Sequence, residues 1–188
     1  MTKPLRISPK YNVEDWKQLD FVNDEDWQKG IDIFVDRIQN RFLKFIDQIK
    51  GKEFAGFAVL ALDCLLIETL QQFREGMGDT PSRKGEEYFV RFLTETTFKA
   101  FFDKDKAKKF YDQFRNGILH QAELKKDSRV LKTGELVESN GDGLKINRDK
   151  FHEQLVKVFE EYVEELRSGA SEELREKFRK KMNLICRV

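Results

Sequence analysis

The chain has 188 residues, 37% of them charged, yet its formal net charge is only +1. Such a length suggests one domain with a real core, and the balanced charge gives no global field toward nucleic acid or a membrane, so any such role must come from local patches. The two cysteines, Cys64 and Cys186, form no CxxC pair, which argues against a zinc knuckle or disulfide framework and fits a reducing cytoplasm.

In chain order, the opening MTKPLRISPKYNVEDW has no apolar run of the secretory kind. Residues 1–23 contain Pro4 and Pro9 with little periodicity and read as an irregular arm. An amphipathic helix follows from an Asn23/Asp24 cap to Gly51, with Trp27, Ile31, Phe34, Ile38, Phe42, Phe45 and Ile49 recurring every three or four residues. The next helix, about 54–75, is apolar around its circumference, as in a helix wrapped by others. Its run Phe54–Leu70 falls short of the roughly 20 residues a membrane span needs and carries Asp63 and Glu68. A carboxylate at mid-bilayer costs on the order of 3 kcal/mol, so a buried core helix is the better reading.

A loop at 76–81 separates this from a helix over about 84–102, with Phe89, Phe92, Leu93 and Thr96 on one side. A fourth helix, about 105–124, carries Ala107, Phe110, Tyr111, Phe114 and Ile118 as its core stripe. Between Ser128 and Arg148 the period changes: short β-like runs flank Asn140-Gly-Asp-Gly143, predicting an inserted hairpin. Two helices close the chain, one with Phe151, Leu155, Phe159, Tyr162 and Leu166, the other with Leu174, Phe178, Met182 and Ile185. The expected fold is an all-α helical bundle of five to six helices with a small β-hairpin inserted at about 128–148, the arm lying outside the domain of residues 24–188.

The residues that bear chemistry concentrate in Phe110–Glu123, FYDQFRNGILHQAE. Histidine titrates near neutral pH and a guanidinium clamps phosphate, so Arg115 with His120 is a usable pair for chemistry on phosphodiesters. At about 100° per residue Arg115 lies at the edge of the apolar stripe, while Asn116 and His120 project from the opposite face. Arg115 and His120 then diverge by roughly 140°, too far for one copy to aim both at one phosphate. Two copies packed about a two-fold axis, with Leu119 as apolar contact surface, would combine their Arg–His sets in a shared cleft. A plain surface histidine is the competing reading.

An arginine, a polar residue and, after a short gap, a histidine, late in a helical bundle, resembles the HEPN superfamily (higher eukaryotes and prokaryotes nucleotide-binding). The pattern there is Arg, four to six residues, then His; Arg115-Asn116-Gly-Ile-Leu-His120 fits with the shortest gap, and the apolar second helix bearing carboxylates also looks like that family. The resemblance covers about residues 27–166. It implies a homodimeric endoribonuclease that needs neither metal nor cofactor. His120 would be general base or acid at the ribose 2′-hydroxyl, Arg115 would stabilise the phosphorane, and Asn116 would orient His120 or hold a phosphate oxygen. The products would be 2′,3′-cyclic phosphate and 5′-hydroxyl ends. It also implies a toxin or phage-defence setting, with an antitoxin or inhibitor protein as possible partner. A catalytically silent module binding RNA, nucleotide or protein, and a plain structural dimer, are the alternatives.

Asp63 and Glu68 need partners if buried. Either one pairs with an arginine such as Arg41 and fixes helix packing, or one reaches Arg115 and orients it. No His or third carboxylate stands at metal-ligand spacing beside them. His152 reads as a solvated first-turn residue. Lys104, Lys106, Lys108 and Lys109 form a basic run, as do Arg175, Lys177, Arg179, Lys180 and Lys181. Such runs are commonly solvated helix faces; Lys104, Lys108 and Lys109 are the candidates for salt-sensitive RNA-backbone contacts. Gly76-Met-Gly78 lacks the third glycine and preceding strand of a phosphate-cradling loop. Cys64, in the apolar helix, reads as buried and inert.

Overall fold

Capping side chains set most of the helix starts. A computed structural model describes residues 5–188; residues 1–4, the beginning of the expected irregular arm, lie outside the described residues. Within that arm Asn12 starts a short helix, α1 (Val13–Lys17), accepting from Glu14 N at 2.8 Å while Asp15 accepts from Asn12 N at 2.7 Å. The reciprocal cap supplies local order where apolar periodicity is missing.

Asn23 caps α2 (Asp24–Ile38) by accepting from Asp26 N, and three acids occupy its first turn. A π-helical turn, Gln39–Leu43, leads directly into α3 (Lys44–Ile49). A π turn spends one extra residue, so the buried positions slip forward by one. Leu43 and Ile46 are buried where regular spacing predicts Phe42 and Phe45, and Phe45 is half exposed.

Helix α4 (Gly56–Glu75) follows, then α5 (Gly85–Glu95) and a 3₁₀ turn, Thr97–Ala100. Asp103 caps α6 (Lys104–Phe110), which runs through a second π-helical turn, Tyr111–Asn116, into α7 (Gly117–Gln121). The strands are β1 (Arg129–Leu131), β2 (Val137–Asn140) and β3 (Gly143–Asn147); α8 (Arg148–Ser168) and α9 (Glu172–Cys186) complete the chain. The protein is mostly helical, as the periodicity predicts.

The insertion is more than a hairpin. β2 and β3 pair antiparallel around the predicted turn, with Asn140 opposite Gly143 and Gly141 at φ +56°. β1 lies on the other side of β3 and runs parallel to it, Arg129 opposite Lys145, giving a mixed sheet of order β1-β3-β2. Three residues are too few to display strand alternation, and only the tertiary fold supplies β1 with its partner.

Where length alone suggests one domain, the described residues form two compact units. One holds residues up to 48 with Gln72–Gly78 and Glu160–Val188; the other holds Ile49–Gln71 and Asp79–Phe159. Each has its own aromatic core. In the first, the Phe34 ring centroid lies 4.5 Å from that of Phe73 and 5.5 Å from that of Phe178. In the second, Phe110 stacks on Phe114 at 5.2 Å and on Phe151 at 4.9 Å.

Helix α4 is long and apolar enough to cross a membrane by length and composition, with 56% of its most apolar window buried in the fold. It also carries Asp63, which has no exposed surface.

Candidate functional site

Arg115 stands near the end of the second π turn. Regular α-helical spacing separates Arg115 and His120 by roughly 140°. The widened turn at Tyr111–Asn116 ends one residue past Arg115, so the steps on to His120 are almost all α-helical, and the two groups meet through the reach of the long arginine side chain. Arg115 Nη1 donates to Asn116 Oδ1 at 3.2 Å and lies 3.5 Å from His120 Nε2. One copy of the chain therefore gathers arginine, asparagine and histidine into a single cluster. This corrects the expectation that two copies are needed to do so.

Arg115 is held from two further directions. Its Nη2 donates to Glu68 Oε2 at 3.1 Å, an ion pair whose side chains are only 19% and 25% exposed. The guanidinium also sits 5.5 Å from the Tyr111 ring centroid, in cation–π range. Tyr111 in turn lies so close to α5 that a Cβ on Gly85 would stand 2.5 Å from its hydroxyl oxygen. These contacts leave Arg115 few alternative rotamers. Its Nε is buried without a hydrogen-bond partner.

His120 is exposed, near the end of α7. The chain turns back immediately afterwards through Ala122, in the left-handed region at φ +52°. The returning strand of backbone presses on Gly117, where a Cβ would meet the Glu123 carbonyl oxygen at 2.5 Å. Glycine is thus required between the asparagine and the histidine for the helix to end as it does.

The other side of the same turn is tied to the sheet. Gln113, almost fully buried, donates to the Asp142 carbonyl at 2.9 Å and accepts from Ser128 Oγ at 2.6 Å. Lys125 donates to Asp112 at 2.6 Å. The inserted strands thereby brace the helix that bears the site.

Of the two carboxylates on α4, Glu68 reaches Arg115 and Asp63 does not. Asp63 pairs with His152, Nδ1 to Oδ1 2.8 Å, with exposures of 0% and 1%. His152 is therefore not a solvated first-turn residue: α8 begins at Arg148, and His152 turns inward one turn later. Burial pushes the Asp63 carboxyl above its usual range, and the hydrogen bond and charge of His152 offset only part of that rise. Arg41, the other suggested partner, instead donates to the Arg6 carbonyl.

Lys104 and Lys108 are exposed on α6 and Lys109 is half-buried, all on the helix that leads into Arg115 but outside its cluster. The second basic run is mostly paired within its own unit. Arg175 contacts Asp24, Lys177 contacts Glu173, Arg179 contacts Glu176, and Lys181 donates to Gln72 and the Gly78 carbonyl. Both cysteines are free and buried, and burial raises the Cys64 thiol far above its usual range. Among the described residues no group of three or more His, Cys, Asp or Glu side chains could hold a metal ion.

Tyr111 and Gln113 are the site residues that sequence reasoning misses. Tyr111 had a legible signal, lying four residues before Arg115 on one helix face; the tether from Gln113 to the strands had none. No protein-family model, curated protein or solved structure matches the chain.

Proposed function

We propose that this chain is a metal-independent endoribonuclease of the HEPN kind, with Arg115, Asn116 and His120 as its catalytic set. The observation that carries the reading is the convergence of the three side chains within one helix end, with His120 exposed and Arg115 held by Glu68. A guanidinium fixed on one side keeps its remaining edge in place for a phosphate, which lowers the reorganisation needed as charge builds in the transition state.

In this mechanism His120 removes the proton of a ribose 2′-hydroxyl, and the freed oxygen attacks the adjacent phosphorus. The bond from phosphorus to the 5′-oxygen breaks as that oxygen takes up a proton, leaving a 2′,3′-cyclic phosphate and a 5′-hydroxyl. Arg115 neutralises the charge on the phosphorane, while Asn116 holds the arginine edge that faces the histidine. Glu68 orients Arg115 from α4. Lys104, Lys108 and Lys109 contact the RNA backbone upstream of the cluster.

A homodimer belongs to this proposal for a reason other than bringing Arg and His together. Proton removal and proton delivery occur on opposite sides of the phosphorus, and each copy presents one exposed histidine; His120 of a second copy would deliver the second proton. Leu119 beside His120 and Leu65 one turn before Glu68 are both exposed apolar surface for such a contact, at 47% and 43%. The cytoplasmic toxin or phage-defence setting, with an inhibitor protein as partner, rests on the resemblance alone.

The test is cleavage of a mixed structured and single-stranded RNA pool in EDTA by the wild type and by His120→Ala. Cyclic-phosphate ends that disappear in the variant support the mechanism. Binding without cleavage by the folded wild type, weakened by Arg115→Ala but not by His120→Ala, would replace it with a non-catalytic RNA-binding module.

A further inference from the structure

The first unit carries cations that its own chain does not neutralise. Arg37, near the end of α2, donates through Nη1 to the Ile7 carbonyl. Arg41, in the π-helical turn Gln39–Leu43, donates through Nη2 to the Arg6 carbonyl at 3.1 Å. The two acceptors belong to consecutive residues, whose Cα atoms stand about 3.8 Å apart. The arginines are themselves four apart on one helix face. The two guanidinia are therefore neighbours, and carbonyl acceptors orient them without supplying a counter-charge.

Among the described residues neither arginine is ion-paired with a carboxylate. Other arginines of the same unit are: Arg167 meets Asp32 at 2.6 Å, Arg175 meets Asp24 at 3.1 Å and Arg179 meets Glu176 at 2.7 Å. Burial first, and then the charge of Arg41, lower the Arg37 pKa from its ordinary value, as expected of two cations that share no anion. The Cys186 thiol acts on Arg37 in the opposite sense, but its own pKa is pushed up to about 11 by burial, so it is uncharged near neutrality. Neither guanidinium has a nitrogen that is buried without a partner, so the donors left over after the carbonyl bonds face solvent.

The same face continues past the arginines. Lys44, the first residue of α3, is exposed and makes no ion pair. Phe45, four residues beyond Arg41, is 50% exposed. Arg37, Arg41 and Phe45 thus step along one side of the helix over about 12 Å.

Charge and shape together select the partner. A lone phosphate would use the arginines but leave the ring uncovered. An acidic peptide matches the cations without a flat π-face for Phe45, and a duplex keeps its bases stacked inside. A single strand offers both phosphates for the guanidinia and an unstacked base for the ring.

We propose that the face formed by Arg37, Arg41, Lys44 and Phe45 binds single-stranded nucleic acid, with backbone phosphates on the three cations and a base stacked on Phe45. The face belongs to the unit that does not contain Arg115 and His120, and it stands whether or not RNA is cleaved.

The test is fluorescence anisotropy of the full chain with labelled oligodeoxythymidylate, which lacks the 2′-hydroxyl that the proposed cleavage requires. The expected result is saturable binding that weakens as salt is raised. Arg41→Gln and Lys44→Gln should each weaken it at least threefold and Phe45→Ala at least fivefold, with thermal unfolding of the Lys44 and Phe45 variants unchanged. Lys104→Gln with Lys108→Gln, in the other unit, should change it less than twofold. Absence of binding, indifference to both Lys44→Gln and Phe45→Ala, loss of binding in the Lys104 and Lys108 variant alone, or tighter binding of the duplex with oligodeoxyadenylate or of polyglutamate would each overturn the proposal.

Discussion

The two histidines of this protein sit in the same compact unit and meet opposite fates. His120 ends a helix in solvent, beside an arginine that is itself braced by Glu68 and Tyr111. His152 is sealed in the interior against Asp63, 2.8 Å away. Both are histidines with a charged neighbour, yet only the first reaches solvent. The second has the chemistry of an acid–base pair and the burial of a packing element. Accessibility, more than residue type, separates a candidate site from a structural pair.

That contrast is broken or sharpened most directly by removing each imidazole. His120→Ala should lower RNA cleavage by about 10²–10⁴-fold while leaving thermal unfolding within a degree or two of the wild type. His152→Ala should do the reverse. Opening a buried pair costs about 3–5 kcal/mol, so denaturant unfolding should shift strongly while cleavage per folded molecule is retained. Loss of cleavage by a stable His152→Ala protein would erase the distinction.

The same variant carries a pH signature. Burial raises the Asp63 carboxyl in the folded state, so the folded protein holds that proton more tightly than the unfolded chain. Stability from this group is full below the ordinary aspartate pKa of about 4 and declines as the pH rises through the raised folded value. With His152 gone, nothing offsets that rise, and unfolding free energy should fall more steeply with pH above about 4 than in the wild type. Parallel pH profiles for the two proteins would contradict the pairing.

Smaller effects concern how His120 and Arg115 are seated. Gly117→Ala forces a Cβ against the Glu123 carbonyl. It should cost about 1–3 kcal/mol, as overpacking typically does, and lower cleavage by displacing the turn after His120. Glu68→Gln keeps the shape but removes the charge that holds Arg115. Cleavage should fall about tenfold, with stability changed by no more than about 1 kcal/mol.

The smallest expected effect lies in the other unit, where a buried acid has no histidine. Burial pushes the Asp36 carboxyl up, but hydrogen bonds from Ser8, the Lys10 amide and Asn40 outweigh it and leave the pKa lowered. Its stabilisation is therefore present above about pH 4 and lost as the pH falls through the folded value. Asp36→Asn should flatten the acid limb of the stability profile and leave the region above neutrality unchanged.

Much of this architecture is legible in the chain itself. The Asn23 cap, the apolar stripe of α2, the all-round apolar α4 and the Asn140–Gly143 turn each follow from local patterns that hold in any context. The Arg115–His120 segment is likewise visible as a sequence. Its geometry is not. The extra residue in the first π turn leaves no mark in the apolar spacing before it occurs, so Leu43 and Ile46 replace Phe42 and Phe45 in the interior, and the reach of the Arg115 side chain to His120 is settled only by the fold.

The sequence by itself determined most of the long helical segments and where the hairpin turns, because propensity, capping and periodicity act over a few neighbouring residues. Only the tertiary structure decided that Glu68 rather than Asp63 meets Arg115, that His152 is buried, that β1 pairs parallel to β3, and that Arg37 and Arg41 hold adjacent carbonyls. Each of those depends on groups brought together from distant positions, 47 residues apart for Glu68 and Arg115 and 89 for Asp63 and His152. Their choice of partner is set by burial, since an ionisable group removed from water must take whatever counter-group the packing places beside it.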